Sequence, residues 1–529
     1  MDIEVFLNNY GYIREFNLAV CDEVNKFSED GIKKELKKRK CFFDVPVVTI
    51  DGDDSKDFDD AVSIKKLKNR KFELGVHIAD VSHYVREHTA LDDEAYNRGT
   101  SVYLAKYVVP MLPERLSNDL CSLVPNEVRL TLSCIMKISS DGTVEDYKIC
   151  ESAIKSCERL TYRNVTRVLE GDMAARDEYR DFIPMFENMR ELALILRDKR
   201  MRRGAIDFDF PEPYFSMDED GKVDGIYPRS LSISNRIIEE FMLAANETVA
   251  GHCQKIGIPC VYRVHEKPDR EKMENLSKIV GIYGHKLKFK NEVSPKNIQN
   301  MLFSIEGTNA QPVLSVLTLR SMMKARYFEQ NLGHFGLAAD NYCHFTSPIR
   351  RYPDLLTHRI LKEWLHGTLD ERRISHYNKT VRRAAEQSSE TEVNSVNAER
   401  DFDAFLSCEY MEDKIGQEFV GVISSVTDFG FFVELPNTVE GLVRMTDLKD
   451  DYYEYNEETL MLSGRRTGRV FCMGQQVRVI LSKVNTEVKQ IDFVLDEFKT
   501  AKPEKEVRHK GGKQRRHGKK KGKKKYRSK

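Results

Sequence analysis

Residues 49–63 read TIDGDDSKDFDDAVS, and Asp51, Asp53, Asp54, Asp57, Asp59 and Asp60 all fall inside this one stretch. Carboxylates packed so closely repel one another and stay ionised only with a cation among them. Hard oxygen donors with open positions suit Mg²⁺, which is usually held by a few carboxylates together with substrate phosphates; Mn²⁺ remains an alternative. Such a cluster points to metal-assisted phosphodiester chemistry. The flanks place it. Residues 45–50 (VPVVTI) and 61–64 (AVSI) are apolar, β-branched runs that read as strands, so the acidic segment is a loop on the rim of a rigid scaffold. A calcium loop starting at Asp51 needs Gly at its sixth position and Glu at its twelfth, where this chain has Lys56 and Val62. A solvated surface loop is the competing reading, and on residue types alone the two weigh about equally.

At 529 residues the chain is long enough for more than one domain. Charged residues make up 32% and apolar residues 40%, and no apolar run approaches the ~18 residues of a membrane helix. The start, MDIEVFLNNYGYIREF, lacks the basic-then-apolar layout of a secretion signal. Eleven scattered cysteines without a CxxC pair argue against a disulfide framework or structural zinc and fit a reducing cytoplasm. The formal net charge of zero hides an asymmetry: residues 501–529 carry 15 Lys and Arg against 2 Glu, leaving 69 basic and 82 acidic residues in the rest. A like-charged block of this kind reads as a disordered interaction tail. Its sign favours a nucleic-acid partner over a plain solubility role.

Four segments are expected. Residues 1–45 look helical, charged and connective. Residues 46–411 alternate strand-like and helical stretches and have the size of an α+β catalytic domain. Within them, 234–250 is a helix whose Ile237, Ile238, Phe241, Met242 and Ala245 recur at helical spacing and serve core packing. Residues 416–497 carry five short strands, as an all-β OB-fold barrel requires. Residues 498–529 are the lysine-rich tail. In the barrel, Phe419, Phe429, Phe431 and Phe432 crowd two adjacent strands, and alternation turns Phe431 and Phe432 to opposite faces. One fills the core; the other is free to stack on single-stranded RNA.

Residues 344–359 (HFTSPIRRYPDLLTHR) put Arg350 and Arg351 near a turn and a helix start. There they either clamp a phosphate in bidentate fashion or pair with a carboxylate such as Asp354. Tyr103 and Phe208 read, taken singly, as core residues with a stacking role as the alternative. His77 and His334 read as packed. The chain shows no Ser-His-Asp, Cys-His or Walker pattern, so acyl transfer and ATP-driven chemistry are not indicated.

The segments TIDGDDSKDFDDAV, LGVHIADVSHYV, RGTSVYL, VVPMLPERLSNDLCSL, GHFGLA and HFTSPIRRYPDLLTHR together resemble the ribonuclease II superfamily catalytic domain (RNB-type), and the barrel after it resembles an S1 domain. The resemblance implies a processive 3′→5′ exoribonuclease that hydrolyses single-stranded RNA to nucleoside 5′-monophosphates. It assigns Asp51, Asp57 and Asp60 to Mg²⁺ and Asp59 to the chemical step. It assigns Arg350 to the scissile phosphate, and Glu399, in AERD, to the active site. Tyr103 and Phe208 match base-stacking aromatics, and Tyr162 and Glu240 match residues near the terminal riboses. Arg351, Phe419, Phe429 and Phe432 are further RNA-contact candidates. The family usually carries two cold-shock barrels before the catalytic domain. Only about 45 residues precede it here, so weaker binding to long RNA is expected, and an RNA-binding protein with little activity is the alternative. A monomer in the cytoplasm, away from membranes, with the tail available to ribosomes, completes the expectation.

Overall fold

The computed structural model describes residues 2–496 apart from Asp209, Asn309 and Glu458. The basic tail, with its expected disorder and contacts, lies outside the described residues. The two apolar runs around the acidic loop become neighbours in a seven-stranded sheet. Its strands are β1 (Lys40–Cys41), β2 (Val48–Asp51), β3 (Asp60–Lys66) and β4 (Phe72–Ala79); then, after a hairpin of β5 (Val102–Leu104) and β6 (Tyr107–Val109), β7 (Val128–Ile138), β8 (Val144–Lys155) and β9 (Glu158–Thr161). The order is β1-β8-β7-β4-β3-β2-β9. β2 pairs with β9 and β1 with β8 in parallel; the other pairings are antiparallel. β4 is buried along almost its whole length. The helices Ile183–Arg203 and Ile233–Ile256 pack onto the sheet, the latter burying Ile237, Ile238, Phe241 and Ala245.

Two helices carry the rest. Tyr352–Leu365 is buried from Tyr352 through Lys362. Glu371–Glu412 runs for 42 residues. Its first half contributes Tyr377, Val381, Ala384 and Ala385 to the core around the seven-stranded sheet, and its second half contributes Ala398, Phe402, Leu406 and Met411 to the core shared with the barrel. One continuous helix thus joins the two cores. The first 45 residues are helical (Ile3–Asn9, Leu18–Val24, Glu29–Glu35), but they are more than a connector. Phe6 packs edge-on against Phe402 at 5.3 Å. Arg39 enters a buried ion cluster, with its Nη2 2.6 Å from Asp80 Oδ2 and Lys362 Nζ 2.7 Å from the same oxygen.

The barrel is closed and five-stranded, from Glu418–Thr427, Gly430–Glu434, Glu440–Arg444, Gln490–Leu495 and Gln476–Asn485 in that order. Gly430 is required at its first turn: a Cβ there would sit 2.2 Å from the Val443 carbonyl oxygen. Phe431 is fully buried against Phe471, and Phe432 faces the other way. An inserted three-stranded sheet (Tyr453–Asn456, Met461–Gly464, Val470–Cys472) had no clear sequence signal, because its short strands are interleaved with charged turns. Among the described residues no helix is long and apolar enough to cross a membrane.

Candidate active site

The acidic loop is held by its backbone. Arg159 Nη2, from β9, donates to the carbonyl oxygens of Gly52 (3.3 Å), Asp53 (2.5 Å) and Ser55 (3.4 Å). Ser122 Oγ accepts from Phe58 N–H at 3.0 Å and donates to the Lys56 carbonyl at 2.7 Å. Phe58 plugs the core beneath the loop. This anchoring sorts the six aspartates. Asp53 and Asp54 are exposed, with Asp53 meeting Arg163 at the surface, whereas Asp51, Asp57, Asp59 and Asp60 turn inward. Neither Arg159 nor Ser122 was legible beforehand, because an arginine or serine in an ordinary strand or turn carries no motif.

The inward set is short of positive charge. Asp59 is buried. Its Oδ1 accepts from Ile349 N–H at 2.8 Å, its Oδ2 lies 3.7 Å from Arg350 Nε, and Oδ2 accepts no hydrogen bond. Burial drives its carboxyl well above the ordinary range, against Arg350 and Ile349 N–H. Burial, with Asp60 and Asp57 alongside, raises Asp51 to about 8, and burial raises Asp60 to about 6. An unpartnered carboxylate oxygen among all-oxygen donors fits a hard divalent cation, and Asp51, Asp57 and Asp60 are the candidates to hold it. The aspartate oxygens are not tightly gathered: among the described residues only Glu87, His88 and His376 bring three such ligand atoms within 4.8 Å of one another. That trio is already engaged internally, as Glu87 accepts from Arg373 at 2.8 Å and pairs with His376 at 2.5 Å.

The shifts make a prediction for the metal-free protein. Between pH 7 and 8 an unfolded Asp51 is ionised while the folded one still holds its proton, so folding binds protons and stability falls as pH rises. In chelator, the melting temperature should drop across this window, and Asp51→Asn should flatten the drop. A melting temperature that rises with pH, or an unchanged slope in Asp51→Asn, would contradict the assignment.

A second segment closes over the loop. Ser101 N–H donates to the Arg350 carbonyl at 3.0 Å, and Tyr352 N–H donates to the Gly99 carbonyl at 3.0 Å. Gly99 has φ +67, and a Cβ there would lie 2.1 Å from Thr391 Oγ1, so glycine allows the long helix to approach. The same strap carries Tyr103, whose hydroxyl donates to Asp57 Oδ2 at 2.9 Å and whose N–H donates to Glu399 Oε1 at 3.4 Å. Tyr103, Arg350, Glu399 and the aspartates are therefore brought together from four distant parts of the chain. Tyr162 is adjacent, its hydroxyl raised by burial and by the charges of Asp51 and Asp60. Phe208 lies half-buried in a separate cleft of about 820 Å³ between the helices and the barrel, stacked on Phe210 at 5.7 Å.

Two candidate contacts need correction. Arg351 is half-buried and donates to Asp354 Oδ1 at 2.8 Å; it is the structural ion pair, and Arg350 is the more open of the two. Glu240 is also buried, with Oε1 2.6 Å from Arg200 Nη2, so its carboxylate is consumed inside the fold. Helical rotation exposes its neighbour Glu239 instead, near Arg200, Asp207 and Arg197. Glu240→Ala should cost about 3–5 kcal/mol, the usual result of leaving one buried partner uncompensated, and Glu239→Ala less than about 0.5 kcal/mol. Equal losses in chemical denaturation would overturn this distinction. In the barrel, Phe419 leans on core Phe493 at 6.5 Å, while Phe429 is exposed and meets the half-buried Phe432 edge-on at 6.2 Å.

Known proteins bear on this geometry. The RNB domain family matches residues 39–367, and the S1 RNA binding domain matches 412–495. Ribonuclease R 1 of Lactococcus lactis subsp. lactis is 44% identical over 97% of the chain, which spans 64% of that protein's length. Ribonuclease R of Thermotoga maritima is 44% identical over 91% of the chain and is spanned to 68%. The solved structure of Mycoplasma genitalium RNase R in complex with ribose methylated single-stranded RNA superposes with a TM-score of 0.88 at 31% identity, covering 93% of this chain and 77% of that one. With the catalytic-domain family matched over more than half its residues, the chain belongs to the RNB family, in its ribonuclease R branch.

Proposed function

We propose that the chain is a processive 3′→5′ exoribonuclease that hydrolyses single-stranded RNA to nucleoside 5′-monophosphates, using Mg²⁺ held by Asp51, Asp57 and Asp60. The observation that carries this reading is a buried, under-neutralised aspartate set beside an open arginine, with an aromatic ring tied to one of those aspartates. When bound, the metal lowers the pKa of a water and neutralises phosphoryl oxygens. The protein's own groups divide the remaining work. Asp59 Oδ2 accepts a hydrogen bond from the attacking water, while Oδ1 stays fixed on Ile349 N–H. Arg350, 43% exposed, moves onto the scissile phosphate and stabilises charge as the 3′-oxygen departs. Tyr103 stacks under a base near the 3′ end with Glu399 holding its backbone, and Phe208 stacks further out; stacking does not depend on base identity. Tyr162 serves the terminal riboses, where the 2′-hydroxyl separates RNA from DNA. Phe429 and Phe432 offer the barrel's stacking face. The RNA-bound relative supports RNA as the ligand. We also infer a monomer in the cytoplasm, with the basic tail as the segment to test against ribosomes.

The test is competition: labelled single-stranded RNA with Mg²⁺, challenged by unlabelled RNA or DNA of the same sequence, with products resolved by chromatography. Release of 5′-monophosphates, competed by RNA and poorly by DNA, is expected. Salt-sensitive binding without products would instead indicate an RNA-binding protein, and equal competition by DNA a general phosphodiesterase.

A further inference from the structure

The antiparallel hairpin β10 (Glu212–Met217) and β11 (Val223–Arg229) separates its residues by face. Val223, Ile226 and Phe215 turn into the core. On the other face Tyr214 stands directly opposite Tyr227, and both are exposed, by 51% and 58%. A cross-strand tyrosine pair stabilises a hairpin modestly on its own, and two further observations point to a ligand. First, Tyr227 lies over Gly225, where a Cβ would come within 2.6 Å of the ring and hydroxyl; the glycine lets the ring settle along the strand. Second, the next rung on the same face is Glu212 opposite Arg229, whose charges reach Glu399 and Tyr162 respectively. Arg229 offsets part of the burial-driven rise at Tyr162, the tyrosine that feels Asp51 and Asp60, and Glu212 adds to the burial-driven rise at Glu399. Arg229 is exposed and makes no ion pair among the described residues. Two residues along a strand is roughly 7 Å, about the span of one extended nucleotide step.

We propose that Tyr214 and Tyr227, with Arg229, form an additional stacking subsite for single-stranded RNA, taking bases that have not yet entered the catalytic centre. The inference rests on the exoribonuclease reading given above. Arg229 meets a phosphate, and the two rings meet bases without regard to identity. The subsite should therefore add affinity only for strands long enough to reach it.

The test uses the full chain carrying Asp59→Asn, so that RNA survives in Mg²⁺. Fluorescence anisotropy with 5′-labelled oligoadenylates of about 4 and about 16 nucleotides compares this protein with Tyr214→Ala plus Tyr227→Ala. The double variant should bind the long strand at least about 10-fold more weakly, and the short strand within about twofold. A long strand with abasic residues upstream of its last four bases should bind both proteins alike. Gly225→Ala, which keeps both tyrosines but displaces one ring, should give an intermediate loss and guards against misfolding of the double variant. Unchanged affinity for the long strand, or equal loss for both lengths, would overturn the proposal. Absence of RNA hydrolysis by the parent chain would instead defeat the exoribonuclease reading, so the two failures are distinguishable.

Discussion

Asp59→Asn is expected to slow RNA hydrolysis by about 10²- to 10⁴-fold, the range lost when a positioned proton acceptor is removed, with RNA affinity changed by less than about twofold. Asparagine keeps the shape and can still accept from Ile349 N–H through Oδ1, so the turn before Arg350 should survive. It replaces the oxygen that accepts no hydrogen bond with an amide donor. Asp59 is only 5% exposed, so it contributes little contact area to bound RNA. The loss should therefore appear in kcat and leave KM nearly unchanged. Single-turnover rates at saturating enzyme, with filter-binding affinities, check both halves. A variant within tenfold of the parent rate would move the chemical step to another carboxylate.

A stability effect as large as that at Glu240 is expected at Asp80. Its carboxylate faces Arg39 at 2.6 Å and Lys362 at 2.7 Å, accepts from Ser82 Oγ at 2.7 Å, and is fully buried. Lys362 and Arg39 hold its pKa well below the ordinary range despite the burial. Asp80→Ala leaves two buried cations with Glu151 at 3.2 and 3.4 Å and, for Arg39 alone, Glu35 at 3.7 Å. A loss of about 3–5 kcal/mol follows from such a truncation. The pH dependence follows from a depressed acid: the stabilisation is fully present above about pH 4 and is lost as pH falls through the lower folded value. Denaturant midpoints at pH 7 and pH 3 should thus separate parent and variant widely at pH 7 and less at pH 3. Because Ala79 N–H donates to the Asp59 carbonyl, the same variant should also loosen the catalytic loop. A change below about 1 kcal/mol at pH 7 would contradict this account.

What could be read beforehand follows from how each signal is encoded. Strand–loop–strand around the aspartates was legible because β-branched runs flank a dense charge cluster, and both signals are local. The barrel was legible for the same reason, through alternation at Phe431 and Phe432. The meeting of Asp59 with Ile349 N–H, and of Tyr103 with Asp57 and Glu399, joins positions hundreds of residues apart, and only the resemblance brought those residues together in advance. Glu240 against Glu239 was a one-residue question of helical phase, decided by Arg200 from another helix. Arg351 lost its expected role to Asp354, three residues away, an alternative already open in the sequence. Arg159 and the Asp80 cluster were silent because single basic residues in strands and helices have no spacing rule.

The central claim is that the aspartate centre removes nucleotides from a 3′ end. The most direct test is a 5′-labelled single-stranded RNA incubated with the chain and Mg²⁺, followed on a denaturing gel beside Asp59→Asn. The account predicts that full-length RNA disappears into one very short labelled fragment, with 5′-monophosphates released and the variant inactive. Labelled mononucleotide appearing first, or internal cleavage ladders, or equal activity in Asp59→Asn, would contradict it.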